Sequence, residues 1–455
     1  MNNNTSTNAS TNVINMTRKK TYSRDNFISA SRKHSFKNTY LNHNTGNRNN
    51  YITKLVNKYY DNDDNSHRYL RQASRITHIF PAQRRVIVIG DIHGDFEIAI
   101  KCLILAGCIK YIEPPNNKTV SVMDAFFNTL EWIGADTHVV QLGDQIDRVR
   151  PQQWDANDIS RDTAFEDEGS TLEIFYLFHY LDELAKKHGG RVLSIIGNHE
   201  IMNVAGDFRY VSKKEFQCFK NHLQHIYHRN SKFPYHSKTL KRGRLTLYNT
   251  KHNTKLPQGY RERLYAFSPT GLCANLMAMN YYTMLQIGNW LFCHGSPTIT
   301  TVEKYPVSMI NNIISLYLLG IDSKDSQLEK HFHELTQSGN DIEPSILWSR
   351  TFGETNTMPE KQLSKILNKI LDTYNHTNNN TKTENKATHI AIGHTPQFNK
   401  GINAICNQHV WRCDVAMSRA FKHNNHNINN ANNDFQQGNI QVLEILNGKP
   451  NILHS

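Results

Sequence analysis

The chain contains a series of short apolar runs rich in β-branched residues, and these runs limit the folds that it can adopt. Runs of this length and composition are typical of buried strands. They are Val86 to Ile89, His138 to Leu142, Val192 to Ile196, Trp290 to Cys293, His389 to Ile392 and Gln441 to Ile445. Apolar residues at helical spacing separate them, from Leu172 to Leu184 and from Leu363 to Tyr374. Strands that alternate with helices predict an α/β fold.

The N-terminal segment has a different composition from the rest of the chain. The 455 residues contain 52 Lys and Arg and 40 Asp and Glu, a formal net charge of +12. Residues 1–50 hold eight of the basic residues, one Asp and 13 Asn, without apolar periodicity. Such a segment buries too little apolar surface to offset the entropy of ordering it. We therefore predict a disordered, Asn-rich basic tail over residues 1–65 and a folded domain over residues 80–455.

Three polar segments interrupt the folded part. Residues 206–262 are strongly basic and rich in aromatic residues, and we interpret them as a cap over the site or an inserted subdomain. Residues 375–386 and 423–437 share the Asn-rich composition of the tail. Because they lie between predicted strands and helices, we expect both to be surface loops.

The cysteines and the hydropathy pattern bear on the cellular compartment. The seven cysteines include no CxxC pair, which favours reduced thiols over a disulfide framework. There is no run of about 18 apolar residues and no apolar segment at the start of the chain. We therefore expect a cytoplasmic protein with no membrane partner.

Five of the predicted strands run into a short cluster of Asp, His and Asn. The clusters are Gly90-Asp91-Ile92-His93-Gly94-Asp95, Gly143-Asp144-Gln145-Ile146-Asp147-Arg148, Gly197-Asn198-His199-Glu200, His294-Gly295 and Gly393-His394-Thr395-Pro396. The carboxyl ends of neighbouring strands meet at one edge of a sheet, so these residues should form one site. Carboxylate, imidazole and amide ligands suit hard or borderline divalent ions. Their number suggests two ions, the arrangement that supports in-line hydrolysis of phosphoesters.

The five ordered blocks resemble those of the calcineurin-like metallophosphoesterase superfamily. Within it, the third block, the Asp-Arg of the second block and the run from Leu347 to Arg350 are similar to phosphoprotein phosphatases of the bacterial-type, Shewanella-like branch. The resemblance implies a central β-sandwich of mixed sheets flanked by helices, with a helical or irregular insertion. It also implies that residues 80–455 form the catalytic domain. Val149 stands where this family usually has Gly, so the geometry of that loop stays open.

The resemblance also implies a role for each site residue. Asp91 and His93 would bind the first metal ion, Asp144 would bridge both ions, and Asn198, His294 and His394 would complete the second. His199 would be the general acid, and Asp147 would orient its imidazole. Arg148 and Arg350 would hold the phosphate oxygens, because a planar guanidinium matches a tetrahedral oxyanion. Mn, Fe and Zn all accept these ligands.

The function implied is a dinuclear metal-dependent phosphomonoesterase that uses a metal-bridging hydroxide as nucleophile. A phosphorylated protein is the expected substrate, with phosphoserine/threonine and phosphotyrosine both open. One alternative is a dinucleoside polyphosphate hydrolase. Another is a catalytically inactive scaffold that binds phosphate or nucleic acid through the basic segments, although no nucleic-acid partner is expected here. The oligomeric state stays open.

Overall fold

The structure is a computed structural model. It describes residues 51, 54, 58, 76–111, 122–150, 164, 166–229, 256–321, 326–337, 345–354, 358–380, 386–398, 400–421 and 440–455. Of the segments expected from the sequence, residues 1–50 and the polar loop 423–437 lie outside this part of the chain, as do residues 230–255 of the basic insertion.

Two mixed sheets form the centre of the described fold. The strands of the first sheet, in spatial order, are β1 (Ile79–Phe80), β8 (Met284–Ile287), β9 (Trp290–Cys293), β10 (His389–Ile392), β12 (Val410–Arg412) and β11 (Asn403–Ile405). Those of the second are β14 (Lys449–His454), β13 (Gln441–Leu446), β2 (Arg85–Ile89), β5 (His138–Gln141), β6 (Arg191–Ile195) and β7 (Tyr281–Tyr282). A separate pair joins β3 (Ile109–Tyr111) to β4 (Leu130–Trp132).

The direction of the strands explains where polar residues gather. Strands β2, β5, β6 and β7 are parallel, and so are β9, β10 and β12. In β2, the four residues Val86 to Ile89 are all buried, as the continuous apolar runs predict for strands covered on both faces. The carboxyl ends of the parallel strands in each sheet therefore lie at one edge of that sheet.

Helices flank the sheets. They are α1 (Phe96–Leu105), α2 (Val122–Thr129), α3 (Thr171–Lys186), α4 (Asn198–Val204), α5 (Lys213–Arg229), α6 (Tyr260–Phe267), α7 (Leu272–Asn280), α8 (Ile299–Lys304), α9 (Val307–Leu318), α10 (Ser326–Thr336) and α11 (Glu360–Thr377). The predicted fold class, mixed sheets flanked by helices, is confirmed. Helix α11 extends to Thr377, so the loop expected from residue 375 starts later than predicted. None of the helices in the described residues has the length and apolar character needed to cross a bilayer.

The structure differs from the expected tail at Tyr51. This residue has helical backbone and a ring that is 1% exposed. Its hydroxyl donates to Glu173 of α3 at 2.8 Å, and its amide donates to Asp124 of α2 at 3.0 Å. The aromatic ring and two hydrogen bonds attach Tyr51 to the folded part, within the segment for which the sequence predicts a disordered tail.

All seven cysteines lie in described segments, and all are free and buried. This matches the expectation of reduced thiols that pack as small apolar side chains. Burial raises the pKa of Cys108 to about 12, for example, so this thiol stays protonated at neutral pH.

Candidate active site

The first block follows β2 and begins α1. Asp91 and His93 are 1% and 3% exposed, and His93 Nε2 lies 3.9 Å from Asp91 Oδ2. The loop then turns into α1 at Asp95, whose side chain accepts a hydrogen bond from the amide of Ile98. This N-cap satisfies one of the free amides at the start of the helix. The strand end and the cap together fix the direction of the two proposed metal ligands.

Asp144 lies at the centre of the site. Its Oδ2 atom is 3.3 Å from His294 Nε2 and 3.8 Å from His199 Nε2, while its Oδ1 atom accepts a hydrogen bond from the His199 amide at 3.0 Å. One group of possible ligand atoms contains His93, Asp144 and His199, and a second contains Asp144 and two further histidines. Asp144 is common to both groups, which is the arrangement expected of a bridging carboxylate.

The third, fourth and fifth blocks reach the same place from three other strands. Asn198, the first residue of α4, has its Oδ1 atom 2.9 Å from His294 Nε2. The other ring nitrogen of His294 lies 2.8 Å from the Leu142 carbonyl oxygen, which leaves Nε2 facing the site. The amide of His394 donates to both carboxylate oxygens of Asp91. All six predicted metal ligands are therefore brought together.

Two glycines are required by this close approach. A Cβ atom on Gly197 would overlap Asp144 Oδ1, and one on Gly393 would overlap Asp91 Oδ1. Neither glycine has an unusual backbone angle that would explain its identity by itself. The prediction that glycines leave room beside the metal ligands therefore holds at both positions.

Several site residues that carry side chains have backbone in the left-handed region. The φ angles are +48° at His93, +50° at Asp144, +72° at Asp147 and +66° at His394. Such angles are uncommon outside glycine and cost about 1 kcal/mol or more each. They persist where the surrounding structure holds them, and at this site they turn the functional side chains toward a common point.

The charge distribution suits a cation. Burial and the neighbouring carboxylate of Asp414 raise the pKa of Asp91. Burial and the charge of Asp144 likewise raise the pKa of Asp414 to about 6, although its contact with the Ala416 amide opposes this. The Oδ2 atom of Asp414 is buried and has no hydrogen-bond partner among the residues that the structure describes. Burial disfavours the charged form of His294, yet Asp144 and Asp91 raise its pKa to about 10.

These carboxylates are buried together and so repel one another, an arrangement that bound cations relieve. The donors are carboxylate oxygens, imidazole nitrogens and an amide oxygen, with no thiolate among them. That set fits Mn, Fe or Zn. The residues present therefore fit the metal ions implied by the sequence blocks.

His199 is held by a second group of polar residues. Its Nδ1 atom lies 2.8 Å from Asp147 Oδ2. The amide nitrogen of the Asn203 side chain donates to both oxygens of Asp147, at 2.9 and 3.0 Å, and also to the His199 carbonyl oxygen. The predicted pair of His199 and Asp147 is thus present as a hydrogen bond. The other ring nitrogen of His199, Nε2, faces Asp144.

Arg148 is buried in an ion pair. Its side chain is 0% exposed, and its Nη1 atom lies 2.8 Å from Asp95 Oδ2. The guanidinium therefore compensates the buried charge of Asp95, together with Arg419, whose Nη2 atom lies 2.6 Å from Asp95 Oδ1. Its contact with a phosphate oxygen stays a prediction.

Arg150 faces the site. Its Nη2 atom contacts His93 Nδ1, and its Nη1 atom donates to the Asp147 carbonyl oxygen at 3.1 Å. The guanidinium lies 5.3 Å from the ring centroids of both Tyr210 and Phe421. This residue was not among those predicted from the sequence, although Arg150 lies only two positions after Arg148 and is a second basic side chain on the same loop.

Arg350 lies at the rim, as a phosphate-binding residue requires. Its Nη1 atom donates to the carbonyl oxygen of His394 at 3.1 Å and to Thr395 Oγ1 at 3.2 Å. Its side chain is 40% exposed, so several of its donors are accessible from solvent. The guanidinium is thus anchored beside one proposed metal ligand while part of it stays open.

Comparison with known proteins agrees with this geometry. The sequence pattern of the calcineurin-like phosphoesterase family matches residues 84–409. The chain belongs to that family. It is 28% identical over 351 residues to Shewanella-like protein phosphatase 2 of Arabidopsis thaliana, covering 75% of this chain and 73% of the relative. It is 26% identical over 335 residues to Shewanella-like protein phosphatase 1 of Plasmodium berghei, covering 73% and 67%.

Among solved structures, a cold-active protein tyrosine phosphatase covers 85% of both chains at 16% identity, with a TM-score of 0.49. The resemblance to Shewanella-like phosphoprotein phosphatases stated from the sequence blocks is confirmed by the family match and the relatives. This member of the calcineurin-like phosphoesterases is a metal-dependent phosphatase.

Proposed function

We propose that this enzyme is a dinuclear phosphomonoesterase that acts on phosphorylated protein. The observation that carries the proposal is the position of Asp144, whose carboxylate belongs to two groups of ligand atoms that each lie within 4.8 Å of one another. Asp91, His93 and Asp144 would hold one ion. Asp144 would share the second ion with Asn198, His294 and His394.

When bound, two such ions neutralise phosphate charge and acidify the attacking water. The protein must supply the remaining steps. The bond between phosphorus and the ester oxygen breaks, water supplies the oxygen of the new bond to phosphorus, and the ester oxygen leaves as an alcohol. His199 is placed to give the leaving oxygen its proton from Nε2, because Nδ1 is engaged with Asp147. No side chain becomes phosphorylated in this scheme.

Arg150 and Arg350 would hold the non-reacting phosphate oxygens from two sides. Arg150 contacts His93, and Arg350 contacts the backbone of His394, so each guanidinium lies beside a proposed metal ligand. The two residues come from different loops. A fork of fixed N–H donors on each side suits a tetrahedral anion better than a single ammonium group does.

Aromatic rings beside the site favour an aryl phosphate. Tyr210 packs against His199 with ring centroids 4.6 Å apart, and Phe421 packs against His93 at 5.5 Å. Phe398 extends this group outward, 5.7 Å from Phe421, and is 43% exposed. A tyrosine phosphate reaches farther from its backbone than a serine phosphate does, and its ring can pack on these rings. We therefore expect phosphotyrosine to be the better substrate.

One assay compares the candidate substrates. The full chain, loaded with Mn²⁺, is given phosphotyrosine and phosphoserine forms of one peptide and, separately, diadenosine tetraphosphate. We expect a higher kcat/KM for the phosphotyrosine peptide, and a loss of that preference in Phe398→Ala. Met309→Ala, which changes another exposed apolar residue, is the matched control. Cleavage of the nucleotide alone would overturn the proposal, as would binding of phosphopeptide without hydrolysis.

A further inference from the structure

A buried arginine lies behind the proposed general acid. Arg263 belongs to helix α6, which follows residues 230–255 in the sequence. Its side chain is 0% exposed. Its guanidinium is surrounded by four aromatic rings whose centroids lie 5.0 to 6.0 Å away: Phe208, Phe216, Phe219 and Phe267. Burial of a charge in such surroundings is costly unless it is paired.

This guanidinium forms an ion pair with Asp147. The Nη2 atom of Arg263 lies 3.1 Å from Asp147 Oδ1, and its Nε atom donates to Asn203 Oδ1 at 2.7 Å. Nη1 donates to Thr171 Oγ1 at 3.1 Å. Each of its three nitrogens therefore has an acceptor, and two of these acceptors are the groups that position His199.

The contacts form a continuous chain from Arg263 to the imidazole. Asn203 accepts from Arg263 through its oxygen and donates through its nitrogen to both oxygens of Asp147. Asp147 Oδ2 then lies 2.8 Å from His199 Nδ1. A wrong orientation of the Asn203 amide would place its nitrogen against the guanidinium. Arg263 thus fixes both the orientation of Asn203 and the place of Asp147.

We propose that Arg263 is a positioning residue for proton transfer by His199, holding Asp147 and Asn203 so that the imidazole presents its Nε2 proton to the leaving oxygen. This inference rests on the proposed function, in which His199 is the general acid. Arg263 does not touch the substrate. Helix α5 supports the same loop, because Glu215 accepts hydrogen bonds from the amides of Asp147 and Arg148 at 3.1 and 3.0 Å.

A structural role alone and a positioning role predict different dependence on the leaving group. A good leaving group such as p-nitrophenolate departs without a proton, whereas phenolate and alkoxide leaving groups need one. Loss of proton transfer therefore slows the poor substrates by about 10²-fold or more and the good one far less. A general loosening of the fold lowers the rates of all substrates together.

The experiment measures kcat for p-nitrophenyl phosphate, phenyl phosphate and benzyl phosphate with the full chain. The variants are Arg263→Met, Arg263→Lys and Asn203→Ala, each with metal content and thermal unfolding recorded. We expect about 10²-fold loss on phenyl and benzyl phosphate for Arg263→Met, with metal content retained. Arg263→Lys keeps the charge but cannot span both acceptors, so it should recover only part of the rate.

The matched control is Phe219→Leu. Its ring lies 5.0 Å from the same guanidinium and is fully buried, so the change disturbs the packing around Arg263 without removing a polar contact. We expect it to lower all three rates by the same factor. If Arg263→Met does not fold, Asn203→Ala and Arg263→Lys test the positioning role. Asn203→Ala keeps the guanidinium, and Arg263→Lys keeps a cation at the same position.

His199→Ala in the same series tests the general acid separately from Arg263. One result would overturn the role of Arg263 and leave the general acid in place. In that result, kcat falls equally on all substrates in the Arg263 variants and in Asn203→Ala, while His199→Ala shows a leaving-group dependence. No leaving-group dependence in His199→Ala would contradict the proposed general acid itself. A steep dependence in His199→Ala, Arg263→Met and Asn203→Ala supports the inference.

Discussion

Glu200 holds the backbone of Asp144. Its Oε2 atom accepts a hydrogen bond from the Asp144 amide at 3.0 Å, and its Oε1 atom accepts one from the next amide, that of Gln145, at 2.9 Å. Oε2 also accepts from Gly197 at 2.7 Å. One fully buried carboxyl group therefore ties two of the loops that carry proposed metal ligands. The bridging position of Asp144 depends on a residue that is not itself among those ligands.

Glu200→Ala should therefore destabilise the fold. The substitution leaves three buried amides without their acceptor, and we expect the free energy of unfolding to fall by roughly 2–4 kcal/mol. Urea unfolding of the full chain measures this. Glu131→Ala is the control, because its pair with Lys110 is about half exposed and contributes little. Equal stability of the two variants would show that Glu200 does not hold the loops.

Asp144→Asn should weaken binding of both metal ions together. The amide keeps the shape of the side chain but removes the charge that both groups of ligand atoms share. Metal titration followed by equilibrium dialysis gives the two occupancies. We expect both to fall in parallel, whereas His394→Ala should reduce only one. Full retention of one ion by Asp144→Asn would contradict the bridging role.

Arg148 and Arg150 should behave differently when replaced. Arg150→Ala should raise KM and the inhibition constant of inorganic phosphate, with little change in stability, because its guanidinium faces the site. Arg148→Ala leaves Asp95 buried with one fewer partner, so we expect a loss of about 3 kcal/mol in stability. Steady-state kinetics and thermal unfolding test both variants. Weaker phosphate binding in Arg148→Ala at unchanged stability would show that Arg148 holds the phosphate oxygens, as the sequence predicts.

Tyr51 should contribute to folding although it directly follows an Asn-rich segment. Tyr51→Phe removes the hydrogen bond to Glu173, a carboxyl group that is 1% exposed, and should cost about 1–2 kcal/mol. Differential scanning calorimetry measures the change. Tyr59→Phe, a nearby tyrosine in the sequence, is the comparison. An unchanged unfolding temperature in Tyr51→Phe would mean that the hydrogen bond to Glu173 does not stabilise the fold.

The strands could be predicted from the sequence because they depend on local patterns. Four buried residues in a row form most of β2, and polar residues follow where the strand ends. His294 and His394 follow β9 and β10 in the same way. The rule that carboxyl ends of parallel strands meet at one edge predicted a shared site. The role of each residue as a metal ligand came from the family resemblance and stays a prediction.

The residues that the sequence missed depend on contacts between distant segments. Arg148 belongs to the second sequence block and Arg150 does not, and the buried pair between Arg148 and Asp95 depends on the fold. Arg263 follows Asn203 by 60 positions and has no motif around it. Tyr51 follows an Asn-rich segment, and its partners Asp124 and Glu173 lie 73 and 122 positions away in the sequence.

In the proposed site, six side chains would gather around a pair of cations. Anomalous diffraction from crystals of active protein, recorded at the absorption edges of Mn, Fe and Zn, tests this arrangement. We expect two peaks about 3.5–4 Å apart, with Asp144 between them. A single peak in the site, or peaks bound by other residues, would contradict it.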